Sequence, residues 1–285
     1  MDAFLDPGDE ILVPNPVWLN YIHVPSALGA VPVTYSLKEE NDYQIDFEEM
    51  ESKITDKTKM IVVVNPSNPT GGVFSRETLE KLSEIAIRHD LLVIADEIYS
   101  QLVYDGTEHV SIASLPGMKE RTITLGGFSK AYSMTGWRLG YLCAPVGIIQ
   151  ACVRVHQYTV TCASSFVQEA AITALTDCAD DVEAMRQEYQ RRKDYVVKAL
   201  NEIDGISCNN PHGAFYIFVN IKSLGMTSME VAEYLLDNAK IALVPGSAFG
   251  SEGEGYLRIS YACSYEELQE ACARIKKAVE ELKNK

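Results

Sequence analysis

The chain is short of basic residues, short of histidine, and without paired cysteines. Lysine and arginine number 25 against 40 aspartates and glutamates, a formal net charge of −15. A surface of that sign repels nucleic-acid phosphates and anionic lipid headgroups, so neither is expected as a partner. The seven cysteines (Cys143, Cys152, Cys162, Cys178, Cys208, Cys263, Cys272) are scattered, form no CxxC pair and have no histidine-rich segment beside them. That pattern argues against a metal site and fits reduced thiols in a cytoplasmic protein. No apolar run approaches the roughly 20 residues of a membrane span. Met1 is followed by acidic Asp2, not by a basic and then apolar leader. Internal repeats and low-complexity tracts are also missing.

What is present is a globular composition, 47% hydrophobic over 285 residues, long enough for two domains. "MIVVVNP" (60–66) is a continuous apolar, β-branched run closed by turn residues, as a strand buried on both faces requires. "SRETLEKLSEIAIRHD" (75–90) reads as an amphipathic helix with Ser75 as N-cap and Thr78, Leu79, Leu82, Ile85 and Ala86 on one face. "LLVIADE" (91–97) and "RTITLGGFS" (121–129) are further strands, so the first half predicts an open α/β sheet with crossover helices. Past about residue 176 the texture changes. A long charged helix (180–203) leads to "HGAFYIFVNI", "IALVPGSAFG" and "YLRISYA", the pattern of a smaller α+β unit. The reading is a large domain over 1–182, its mostly parallel sheet sandwiched by helices, and a small domain over 183–285.

Open parallel sheets place ligands at the carboxyl ends of their strands. "NPSNPTGG", "DEIY" and "SK" follow three successive predicted strands. Alone, Asn68 reads as a turn cap, Asp96 as a helix cap and Lys130 as a surface charge; together they fall on one rim. An amine nucleophile, a carboxylate suited to a basic ring nitrogen, an amide and a phenol suited to an oxygen, and an arginine suited to a phosphate form the donor set for pyridoxal 5'-phosphate (PLP).

"GFSKAYSMTGWRLG", with "NPSNPTG" and "DEIY" upstream in order, resembles the class I/II aminotransferases among fold-type I PLP enzymes, of the aspartate and aromatic aminotransferase kind. The resemblance runs over the whole chain, from "LDPGDEILVPNPVW" to "YLRISYA". It implies PLP joined to Lys130 as a Schiff base, with Lys130 then moving the substrate α-proton. It pairs Asp96 with the ring nitrogen, Asn68 and Tyr99 with the 3-hydroxyl oxygen, Arg138 with the phosphate, and the Trp18 ring with the cofactor face. Arg258, with Asn68 nearby, would hold the substrate α-carboxylate. The implied reaction passes an amino group between an α-amino acid and a 2-oxo acid in a homodimer. A C–S lyase or decarboxylase relative is the alternative within enzymes, and a catalytically impaired scaffold the alternative outside them. Two departures stand out. Gly127 occupies a position where family members often carry a phosphate-binding hydroxyl, and the family's N-terminal segment, with its phosphate-binding helix end, is expected to be absent.

Overall fold

The computed structural model describes residues 1–284. In chain order the described residues form β1 (Glu10–Asn15), α1 (Asn20–Ala27), β2 (Val31–Ser36), α2 (Phe47–Ser52), β3 (Thr58–Val64), α3 (Arg76–Arg88), β4 (Leu92–Asp96), β5 (Thr122–Gly127) and β6 (Gly140–Cys143). There follow α4 (Val146–Thr159), α5 (Ser165–Asp177), α6 (Ala179–Asn201), β7 (Tyr216–Asn220), α7 (Ser228–Ala239), β8 (Val244–Pro245), β9 (Tyr256–Ser260) and α8 (Tyr265–Lys283). The strands make a six-stranded sheet in the order β2-β1-β3-β4-β5-β6 and a three-stranded sheet in the order β7-β9-β8. Every pairing in the first sheet is parallel except β5 with β6, and both pairings in the second are antiparallel.

The apolar run of β3 explains its central place. Ile61 and Val63 pack on one side with Leu12, Val93 and Ala95, and Leu79, Leu82 and Ile85 of α3 close that layer. Met60, Val62 and Val64 pack on the other side with Ile11, Val13 and Ile94. With both faces covered, neither can carry a polar residue until the strand ends. Burying a leucine such as Leu79 or Leu82 contributes roughly 1.5–3 kcal/mol each. At the start of α3 the Ser75 side chain accepts from the Thr78 N–H at 3.0 Å. The second core gathers Val196 and Leu200 of α6, Val231 and Leu235 of α7, and Leu268 and Ile275 of α8 around β7 and β9. Tyr99, Leu102 and Tyr104, which follow β4, belong to this core too, so the two sheets share packing. Both α7 and α8 open with capping boxes, Thr227 with Glu230 and Ser264 with Glu267.

The loop after β3 and the segment before β7 meet backbone to backbone. Gly71 has φ +71°, and a Cβ placed there would lie 2.5 Å from Pro211 Cβ and 2.8 Å from the Tyr216 carbonyl oxygen. Gly106 has a similar φ, +73°, but open space around it. Gly106→Ala should therefore lose only the left-handed penalty of about 1–2 kcal/mol. Gly71→Ala must also displace backbone, and urea unfolding is expected to show a loss at least about 2 kcal/mol larger. Equal losses at the two sites would mean that the contact at Gly71 is soft.

Candidate active site

β3, β4 and β5 lie side by side and run the same way, so the polar residues after each gather at one rim. After β3 the loop turns back on itself, with Ser67 N–H donating to Gly72 O at 2.9 Å and Gly71 N–H to Ser67 O at 3.0 Å. Asn65 ties the loop down: its N–H donates to Asp96 O at 3.0 Å, and its Oδ1 accepts from Phe74 N–H at 2.9 Å. Asn68 is held there, buried. Asp96 is the last residue of β4, and Lys130 stands three residues past the end of β5.

A cavity of about 500 Å³ opens over this rim, and Trp18, Asn68, Asp96, Tyr99, Lys130, Arg138 and Arg258 all line it. The seven residues singled out from the sequence are thus brought together. Asp96 Oδ2 accepts from the Tyr21 hydroxyl at 2.6 Å and Oδ1 from Ile98 N–H at 3.2 Å. Burial pushes the Asp96 carboxyl above the usual carboxylate range, and those two hydrogen bonds oppose the rise. Lys130 is moved down, first by burial and then by the charges of Arg258 and Arg138, with Asp96 pulling the other way. Its Nζ lies 5.9 Å from the Tyr99 ring centroid and 5.6 Å from that of Phe215.

Arg258 reaches in from β9 of the small sheet. Its Nη1 donates to Asn68 Oδ1 at 3.0 Å, and its guanidinium carbon sits 4.5 Å from the Tyr216 ring centroid and 4.8 Å from that of Phe249. Buried Nε has no hydrogen-bond partner among the described residues. Such a donor is costly to leave unpaired and marks a place for an acceptor. Tyr99, its phenol pushed up by burial and by neighbouring Tyr216, shares a 2.9 Å hydrogen bond with the Tyr216 hydroxyl. Arg138 is exposed, has φ +55°, and donates Nη1 to Thr135 O at 3.1 Å. Gly127 brings no hydroxyl, but Ser129 and Thr135 line the same cavity. Three cations and one carboxylate in a chain of net charge −15 suit an anionic ligand that also carries a basic nitrogen.

Two of the groups here were not singled out in the sequence. Tyr21 lies one helical turn after Trp18, and that spacing was its signal. Tyr216 lies inside the apolar run "AFYIFV", where a tyrosine reads as core. No group of three or more histidine, cysteine, aspartate or glutamate side chains that could hold a metal occurs among the described residues.

Because the folded chain raises the Asp96 pKa, this group favours folding most below its unfolded pKa, and that contribution is lost as pH rises through the folded value. Asp96→Asn is isosteric and uncharged. The variant without ligand is expected to melt higher than the parent at pH 7, with the advantage shrinking as pH falls through the folded pKa of Asp96 to the ordinary carboxylate range. A thermal-shift series showing no pH-dependent difference would remove Asp96 from the strained groups of the site.

Residues 1–275 match the family model described as aminotransferase class I and II. An aspartate aminotransferase of Pyrococcus abyssi is 47% identical over 285 residues, covering 99% of this chain and 73% of its own length. Aromatic-amino-acid aminotransferase 2 of Thermococcus litoralis is 46% identical over 283 residues, 99% of this chain and 72% of its own. The crystal structure of an aromatic aminotransferase from Pyrococcus horikoshii superposes with a TM-score of 0.97 at 45% identity, over 99% of this chain and 76% of that one. With its sheet order, its rim and its sequence in agreement, the chain belongs to the class I and II aminotransferase family.

Proposed function

We propose that this aminotransferase holds PLP in the cavity at the strand ends and uses it to pass an amino group between an α-amino acid and a 2-oxo acid. The single observation that carries the reading is the convergence of Lys130, Asp96, Tyr99, Asn68, Arg138, Trp18 and Arg258 on one cavity. The donor set fits the group. Asp96 would hold a protonated ring nitrogen, Tyr99 and Asn68 the phenolic oxygen, Arg138 the phosphate, and the Trp18 ring a face of the cofactor. When bound, the cofactor supplies an electron sink for charge developing at the substrate Cα.

The remaining work belongs to side chains. Lys130, its amine made easier to deprotonate by burial, is the covalent anchor and afterwards the base that takes the proton from the substrate Cα. Arg258 presents an unpaired Nε and an Nη1 already oriented by Asn68, a fork suited to a carboxylate. Residues 1–182 are assigned to a large domain and 183–285 to a small one; α6 is unbroken across that division, and its later residues Val196 and Leu200 pack in the core of the small sheet.

A homodimer belongs to the same proposal. Apolar side chains lie open between β6 and α5, among them Tyr141, Val146, Tyr158, Phe166, Ile172 and Leu175, and Tyr158 is 92% exposed. Patches of this kind on a folded protein favour a partner. The seven free cysteines support a cytoplasmic setting. Among the described residues no helix is long and apolar enough to cross a membrane.

Borohydride reduction in the presence of PLP, followed by peptide mapping, is expected to fix the cofactor on Lys130, and Lys130→Ala to abolish both labelling and transamination. Label on another lysine would overturn the assignment. Arg258→Lys keeps the charge but loses the fork, so the KM for amino and 2-oxo acids should rise by about ten- to a hundredfold in steady-state assays. Sedimentation velocity checks the oligomer: a dimer is expected, and Tyr158→Glu with Phe166→Glu should shift it toward monomer.

A further inference from the structure

Among the described residues the most deeply buried charged side chain is used by none of this chemistry. Lys193, on α6, is 1% exposed. Its Nζ is hydrogen-bonded to Asp105 Oδ2, lies 3.1 Å from Asp194 Oδ1 and sits 5.8 Å from the Tyr104 ring centroid. Lys193 is buried while the Asp105 side chain is 30% exposed, and an ion pair so placed adds little to net stability, so its energy does not account for its presence. What it fixes is a position.

Asp105 has φ +57° and collects further donors, Gln190 Nε2 at 3.3 Å and Asn210 Nδ2 at 3.0 Å. Around it the chain after β4 is pinned to the chain before β7. Tyr104 N–H donates to His212 O and Ala214 N–H to Leu102 O, both at 2.9 Å, and the Tyr104 hydroxyl donates to Ala214 O. The 212–213 pair then grips the loop after β3, since His212 N–H and Gly213 N–H donate to Gly71 O at 3.0 and 2.9 Å. Asn68 stands three residues before Gly71. Tyr216 stands two residues after Ala214, and its ring carries the Arg258 guanidinium. Both partners of the Arg258–Asn68 hydrogen bond are therefore held by one segment, and that segment is fastened at Asp105.

On the reading of Asn68 and Arg258 given above, we propose that Lys193 and Asp105 are positioning residues for substrate binding. Their ion pair, buried at Lys193 and open to solvent at Asp105, sets the place of residues 210–214, and these set the Asn68 loop and the ring under Arg258. The mode of action is geometric and leaves the reacting atoms untouched.

Hydrogen exchange read by mass spectrometry on the full chain tests this without reference to catalysis. In Lys193→Met, peptides covering 102–105, 210–214 and also 66–74 are expected to exchange about tenfold faster. Asp105 loses its lysine in that variant and keeps the donors of Gln190 and Asn210, so Lys193→Met with Asp105→Asn, which removes both charges, should give the same pattern in a folded chain. With PLP present, KM for 2-oxoglutarate should rise about tenfold while kcat changes less than about threefold. Lys53→Met, which breaks the Lys53–Glu49 pair elsewhere, should leave 66–74 and KM unmoved. Faster exchange confined to 102–105 and 210–214, or an unchanged KM in an active double variant, would overturn the positioning role. A parent chain that fails to transaminate would count against the aminotransferase activity, while the exchange at 66–74 would still decide the positioning role.

Discussion

A parallel strand covered by helices on both faces has no room for a polar side chain until it ends. In this chain that constraint governs where chemistry can occur. β3 contributes Met60 through Val64 to two cores at once, and the residue that follows it, Asn65, begins the loop that holds Asn68. β4 repeats the pattern and stops at Asp96; β5 passes into two glycines and then Lys130. Since the three strands are neighbours and parallel, the spacing between strands sets the spacing between functional groups. The site is a by-product of the sheet's topology, refined by loops.

Partial burial gives that rim its electrostatic character. Removing water from Asp96 raises its pKa and removing water from Lys130 lowers its own, so both groups are driven toward neutrality. The protein opposes the drift unevenly. Asp96 receives a phenol and a backbone N–H, whereas Lys130 has two arginines nearby and only one carboxylate to offset them. The carboxyl is shifted up and the amine down, so both move from their ordinary values toward neutral pH. Arg258 makes a similar bargain in a different way. Tyr216 and Phe249 cover its faces, Asn68 takes one edge, and the other edge is left for an anion.

Much of this was legible in the sequence because the central strands and the loops after them carry their constraints locally. The runs 60–66 and 91–97 are too apolar and too short to be anything but doubly buried strands, and Ser75 with its spaced apolar residues announces α3. β6 was not legible: Gly140–Cys143 is a four-residue edge strand whose side chains are all exposed, so it has no burial pattern to leave in the sequence. β8 has two residues and no period at all. α4 buries none of its residues, and its pattern alone could not say which way it faces. Tyr21 and Tyr216 escaped for a related reason. Aromatic residues in apolar surroundings look like core, and only the three-dimensional path shows that their hydroxyls reach Asp96 and Tyr99. The Lys193–Asp105 pair spans 88 positions, a separation at which sequence carries no pairing signal.

The backbone contact between Gly71 and the 211–216 segment has a consequence for how this protein can change over evolutionary time. Where two side chains touch, a larger residue on one side can be accommodated by a smaller one on the other. At Gly71 the opposing atoms are the ring of Pro211 and the carbonyl oxygens of Gly213 and Tyr216, and at Gly213 they are Pro66 and Val73. Carbonyl groups cannot be trimmed, so no second substitution restores the fit at Gly71. The two segments therefore form a matched pair, while cavity-lining positions outside that seam, such as Asn20 and Ile98, are free of this constraint.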